Sequence, residues 1–340
     1  MVSDRGLEVL RVIVQDYVAS REPVGSKSIV ERHSFGVSAA TIRSDMAQLE
    51  EEDLITAPHT SSGRVPTDKG YRLFVNQLAD LRPLSAAQRH AIEAFLGEST
   101  DLDDVLARTV RLLSQLTHQV ALVQYPTLGR SRIRHVELVP LNQVRLMTVL
   151  ITDTGRVEQR MVDVPMGIDE EFLGELRTRI NGELAGLVLK DAAEQLEALA
   201  ESFEPHRRPL VEVVASSLGE QVIASRHDKL LMAGTANLAR TEDDFSGSIY
   251  PVLEAIEEQV TLLRLFSEME QEMGGIAVRI GRENESFGLG EASVLSSGYA
   301  GASGELARLG VLGPTRMDYS SNMTAVRAVA RYLSRLLSEN

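Results

Sequence analysis

Between Val37 and Thr67 the chain reads VSAATIRSDMAQLEEEDLITAPHTSSGRVPT, which permits one short helix with a defined start and then a tight β-turn. Ser38 stands where an N-cap belongs, because its hydroxyl can accept from a backbone N–H that the first helical turn leaves without a partner. Ile42, Met46 and Leu49 follow at spacings of four and three, so they share one face, and that face turns inward. The remaining face carries Ala39, Ala40, Thr41, Arg43 and Ser44 in its first two turns, while the acids Glu50, Glu51, Glu52 and Asp53 come only at the far end. A small, acid-poor helix start can enter a DNA major groove, where arginine chelates guanine and Ser or Thr reaches base edges or phosphate. Arg43 is therefore the expected base reader, with Ser38, Ala39, Ala40, Thr41 and Ser44 against the groove.

Leu54 to Ala57 is short and β-prone, Pro58 to Gly63 is turn chemistry, and Val65 to Thr67 is extended again, which makes a hairpin or wing. His59, Thr60, Ser61 and Arg64 place an imidazole, hydroxyls and a guanidinium at its tip, groups suited to phosphate and minor-groove contacts. On pattern alone the same segment serves equally as a small structural module.

Upstream, Leu7, Leu10, Val14 and Tyr17 give a packing helix over Ser3 to Ala19. Pro23 and Gly25 end it, and Ser26 is expected to cap a short helix to about His33, with Lys27 and Ser28 at an N-terminus that favours phosphate. Downstream, Thr67 caps a helix whose apolar stripe is Tyr71, Phe74, Val75 and Leu78. Lys69, Arg72 and Asn76 lie on another side, either solvated or forming a second line of contacts to the DNA backbone.

TIRSDMAQLEEEDLITAPHTSSGRVPTDKGYRLFV resembles the signature of the heat-inducible transcription repressor (HrcA) family, as do PVGSKSIVE before it and IGREN and GELARLGVLGPTRMDYSSNM near the C-terminus. The resemblance implies an α+β chain: an N-terminal winged helix-turn-helix, then a GAF-like antiparallel-sheet domain interrupted by a mainly helical dimerisation domain. One departure is Asp53, where the family usually has a glycine in the left-handed conformation. Asp tolerates that conformation better than most residues, so the expected consequence is a modest stability cost.

A length of 340 residues at 43% hydrophobic content supports two or three cored domains. The absence of cysteine excludes disulfides, thiol catalysis and cysteine-based zinc sites, and fits a reducing cytosol. Without a long apolar run or an early apolar segment, neither membrane spanning nor export is expected, and the chain is placed in the cytoplasm. The net charge of −14 argues against a nonspecific polyanion binder, so contact with DNA is expected to be local and salt-sensitive, centred where Arg64, Lys69 and Arg72 cluster.

Leu81 to Pro83 reads as a boundary, and Ser85 with Gln88 as a capping signature for the next helix. A helix from about Asp101 to Leu116 then precedes strands at Val120 to Tyr125, Ile133 to Pro140, Val144 to Thr152 and Val157 to Val164, read as antiparallel sheet. The pattern turns helical from Asp169 to about Arg226, and sheet chemistry resumes at Ile276, Ala292 and Ala307. Ile249 to Met273 reads as one long helix, and Val326, Ala330, Leu333 and Leu337 mark the last. The expected domains are 1–80 for DNA binding, 81–168 and 227–340 for the sheet domain, and 169–226 for the insertion.

IGRENESFGLGEAS lacks the Lys-Ser/Thr of a P-loop, the seven histidines are scattered, and Asp153, Glu242, Asp243 and Asp244 read as surface acids. No enzyme, metal or cofactor is expected. The expected function is a dimeric repressor, and the resemblance implies that its targets are heat-shock chaperone genes (groE/dnaK-type operons). Twofold pairing suits an inverted repeat, and the resemblance implies a CIRCE-type operator and help from a GroE-type chaperonin in reaching the binding-competent state. Two rivals stand beside it: a metabolite-sensing repressor using the GAF-like domain, and a protein-interaction platform that does not bind DNA.

Overall fold

The computed structural model describes residues 2–59, 63–78, 85–97, 101–126, 132–153, 155–165, 167–226, 229–245, 247–269, 275–300 and 306–339. Ser3 Oγ accepts from Gly6 N at 3.1 Å and starts α1 (Asp4–Ser20), which buries Val9, Leu10 and Ile13 completely. The next helix, α2 (Ser26–Arg32), is capped by Gly25, and Ser26, the expected cap, is instead its buried first residue. The reason lies upstream: Val24 exchanges backbone hydrogen bonds with Arg64, which keeps the chain extended through Gly25 and delays the helix by one residue.

Helix α3 (Ala39–Glu51) starts as expected, Ser38 Oγ accepting from Thr41 N at 3.2 Å, and buries Ile42, Met46 and Leu49. It ends at Asp53, whose φ of 57° is the left-handed conformation, and Leu54 N then donates back to Leu49 O at 2.9 Å. Strands β1 (Ile55–Thr56) and β2 (Val65–Pro66) pair antiparallel. Thr67 caps α4 (Asp68–Asn76), accepting from Gly70 N at 3.1 Å. The boundary expected at Leu81 to Pro83 and the side chain of Gln88 lie outside the described residues.

After α5 (Ala86–Gly97) and α6 (Leu102–Thr117), β3 (Val120–Gln124) enters a sheet and the chain then leaves it. The excursion comprises β4 (Ile133–Asn142), β5 (Arg145–Thr152), β6 (Val157–Asp163), α7 (Glu170–Leu184), α8 (Leu189–Leu199) and α9 (Arg208–Arg226). Its three strands form an antiparallel meander, separate from the sheet that holds β3. One apolar core runs from Ile133 to Val222, where Val136, Leu146 and Leu150 meet Leu176, Ile180 and Val214. The strands and helices that leave the first sheet and share this core therefore begin near Ile133. Strand periodicity shows that a face is buried and not which helices bury it, so β4 to β6 could not be assigned from sequence.

Strand β7 (Leu230–Ala233), too short and featureless to be read from the sequence, returns to the first sheet beside β3. Then come α10 (Ala236–Arg240), α11 (Tyr250–Glu258), α12 (Val260–Glu268), β8 (Ile276–Ile280), β9 (Ala292–Ala300), β10 (Leu306–Pro314) and α13 (Tyr319–Glu339). The five-stranded sheet has the order β7-β3-β10-β9-β8 and is antiparallel throughout. In β3, Ala121 and Val123 join the core that contains α6 and α13, while Val120 and Leu122 face the core built by α11 and α12. Both faces are covered. Of the long helix expected over Ile249 to Met273, residues 270–273 lie outside the described residues, and the rest is broken at Gln259, φ 45°, into α11 and α12. Both helices still pack in the core that covers one face of the sheet.

Candidate nucleic-acid interface

The face that would meet a groove is built by fixing the other side of α3. Asp45 is buried beside Ile42, Met46 and Leu49, and takes a bidentate pair from Arg5 of α1, Nε to Oδ2 at 2.7 Å and Nη2 to Oδ1 at 3.0 Å. The Asp45 hydrogen bond holds the Arg5 guanidinium above its ordinary pKa. Sequence reasoning passed over this pair. The signal was an acid at i+3 in an apolar i, i+4, i+7 stripe, which must find a buried partner. The pair also removes the one negative charge in the first two turns of α3 from the open face.

On that face Ser38, Ala40, Arg43 and Ser44 are exposed, and Ala39 and Thr41 are half-buried. The Ser38 and Thr41 hydroxyls lie 3.1 Å apart. Arg43 has no side-chain partner among the described residues, and neither has Lys27, exposed at the start of α2 beside half-buried Ser28. The hairpin leaves His59 exposed, while Thr60 and Ser61 lie outside the described residues.

The three cations expected around the wing are each engaged. Arg64 bonds Glu50 near the end of α3, Nε to Oε2 at 3.0 Å, and its backbone pairs with Val24, so it braces the hairpin against α3. Gly63 allows this approach, since a Cβ there would stand 2.6 Å from the backbone of Pro23. Lys69 Nζ donates to Glu52 O at 2.6 Å and stays exposed. Arg72 faces the rest of the chain: Nε donates to Glu283 Oε1 at 2.8 Å and Nη2 to Val278 O at 2.7 Å. Its place on α4 showed a polar side without showing what lay opposite.

Arg72 belongs to a junction that ties residues 2–78 to the sheet. Arg282 N donates to Asp68 Oδ2 at 3.0 Å, and Gly281, at φ 50°, lies where a Cβ would stand 2.2 Å from that oxygen. The Tyr71 and Tyr319 rings sit 5.5 Å apart, and burial pushes both phenols up. Asp244, expected as a surface acid, is enclosed and receives both Arg316 and Arg21, the latter at 3.1 Å. IGREN contributes Gly281, Arg282 and Glu283 to this junction, which gives the segment a packing role.

Among the described residues no cluster of His, Asp and Glu could hold a metal ion, and no helix is long and apolar enough to cross a membrane. The profile of the HrcA protein C-terminal domain matches residues 103–323. The heat-inducible transcription repressor HrcA of Clavibacter michiganensis subsp. michiganensis is 71% identical over 339 residues, covering 100% of both chains. That of Leifsonia xyli subsp. xyli is 66% identical with the same coverage. A crystal structure at 2.2 Å resolution described only as a hypothetical protein superposes with a TM-score of 0.70 at 26% identity, covering 100% of this chain and 99% of its own. By full-length identity to its relatives and by the profile that spans its sheet and excursion, this chain belongs to the HrcA family of heat-inducible transcription repressors, which is not an enzyme class.

Proposed function

We propose that the chain is a cytoplasmic, dimeric, sequence-specific repressor of heat-shock chaperone genes, and that residues 2–78 act as a winged helix-turn-helix on an inverted-repeat operator. The observation that carries this reading is the open start of α3: Ser38, Ala40, Arg43 and Ser44 are exposed, while Asp45 on the other side is held by Arg5. Arg43 would read a guanine, Lys27 and Ser28 would hold a phosphate at the start of α2, and the hairpin with His59 would lie along the backbone. Lys69 is exposed near the hairpin and can add a contact, whereas Arg72 acts through the junction.

The sheet with α5, α6 and α10 to α13 would serve as a GAF-like body, and the excursion from Ile133 as the dimerisation element. Leu141 (48% exposed), Val144 (56%), Val157 (49%) and Met161 (69%) leave apolar surface on the meander, which supports that role. By kinship a GroE-type chaperonin would raise the fraction of binding-competent dimer, and apparent operator affinity would rise in proportion. The test is fluorescence anisotropy against a chaperone-promoter inverted repeat and a scrambled duplex, across salt, with and without chaperonin. Selective binding that strengthens with chaperonin supports the proposal. Equal binding to both duplexes under all conditions would sink it and favour an interaction platform.

A further inference from the structure

Helices α5 and α13 enclose a groove of about 300 Å³ lined by Arg89, Glu93, Arg327, Arg331, Tyr332 and Arg335. Among the described residues that line it are four arginines and one carboxylate, in a chain whose formal net charge is −14. The carboxylate is already engaged, with Arg335 Nη2 at 3.0 Å and His90 Nδ1 at 3.5 Å from Glu93. Among the described residues the side chains of Arg89 and Arg331 have no partner.

Arg327, Arg331 and Arg335 recur every four residues along α13, and like charges at that spacing repel on a helix. An anion in the groove would remove the repulsion. The floor is apolar, with buried Ile92, half-buried Ala328 and the Tyr332 ring, whose centroid lies 4.8 Å from the Arg335 guanidinium carbon. A concavity of this size falls at the small end of pockets that take small molecules. A DNA duplex carries its phosphates on a convex surface and cannot enter it. Guanidinium forks match phosphate oxygens two at a time, in a way a lysine ammonium does not.

We propose that the groove between α5 and α13 binds a small phosphorylated molecule, its phosphates held by Arg89, Arg327 and Arg331 and its less polar part on Ile92, Ala328 and Tyr332. The site is built on α5 and α13 and uses no residue of α3, so it stands whether or not the chain binds an operator.

The test is calorimetric titration of the full chain with inorganic pyrophosphate, with citrate and with sodium chloride at matched ionic strength, repeated on the double variant Arg89→Gln, Arg331→Gln. Pyrophosphate is expected to bind one site per chain and to raise the melting temperature, chloride to do neither, and the variant to bind pyrophosphate at least roughly tenfold more weakly, the loss of two charge-assisted contacts. Because the variant relieves like-charge repulsion, its melting temperature without ligand is expected to be unchanged or higher, which separates lost binding from lost folding. Absence of binding beyond the chloride control, or equal affinity in parent and variant, overturns the site. Citrate binding as tightly as pyrophosphate overturns the assignment to phosphates.

Discussion

Arg316 reaches Asp244 where α1 meets the sheet body, and the two side chains are only 8% and 4% exposed. The same guanidinium donates to Val18 O at 3.2 Å, in the last turn of α1, while Arg21 just beyond that helix approaches Asp244 at 3.1 Å. A cation at the carboxyl end of a helix and a carboxylate shared by two arginines are favourable arrangements, and here they fix α1 to the sheet body. Removing one partner of a buried pair strands the other.

Arg316→Met should therefore lower unfolding stability by about 3–5 kcal/mol, read as a fall in the urea midpoint. Arg145→Met is the control: its partner Asp163 is 72% exposed, so the midpoint should stay in place. Equal midpoints for the two variants would show that the junction contributes nothing.

Arg43→Ala should cost about 1–3 kcal/mol in operator affinity, with relaxed preference at one base position and an unchanged melting temperature. Arg43 is exposed and has no side-chain partner among the described residues, so nothing in the fold depends on it. Unaltered binding by anisotropy would remove Arg43 from the interface.

Lys27 and Arg72 should part company. Lys27→Ala is expected to weaken binding to all duplexes and to lower the salt slope by about one. Arg72→Ala should instead reduce stability, because Arg72 is half-buried against Glu283 and Val278. A salt slope changed equally by both variants would place Arg72 on DNA.

The tilted pair Tyr71 and Tyr319 predicts opposite results for one atom. The Tyr71 hydroxyl is buried without a hydrogen-bond partner, so Tyr71→Phe should be neutral or stabilise by about 1 kcal/mol. Tyr319→Phe should destabilise, since its hydroxyl lies 2.8 Å from Ser293 Oγ and donates to Thr315 O at 2.7 Å. Burial raises both phenols, and the Ser293 hydrogen bond only partly offsets this for Tyr319. In the unfolded chain they ionise near pH 10, so their contribution is complete below that pH and is lost as pH rises above it. Alkaline unfolding followed by tyrosinate absorbance should begin later in the double phenylalanine variant than in the parent.

Local chemistry was enough to define α1, α3, α4 and the hairpin in advance. The hydroxyls of Ser3, Ser38 and Thr67 each cap a helix from a neighbour three residues away, and apolar spacing of three and four names the buried face. Asp53 has the left-handed conformation that the family resemblance implied for its position. The exposure of Ser38, Ala40, Arg43 and Ser44 was legible because apolar spacing alone names the buried side of α3. What required the tertiary structure was every partner far along the chain. Arg72 is 211 residues from Glu283, Arg21 is 223 from Asp244, and Arg5 is 40 from Asp45. The same holds for the split of β4 to β6 from the sheet of β3, since a strand's alternation records burial without naming its neighbour. A side chain's own periodicity is set within a few residues by backbone geometry, whereas the charge that meets it is chosen by how separate cores pack, and only the folded chain decides that.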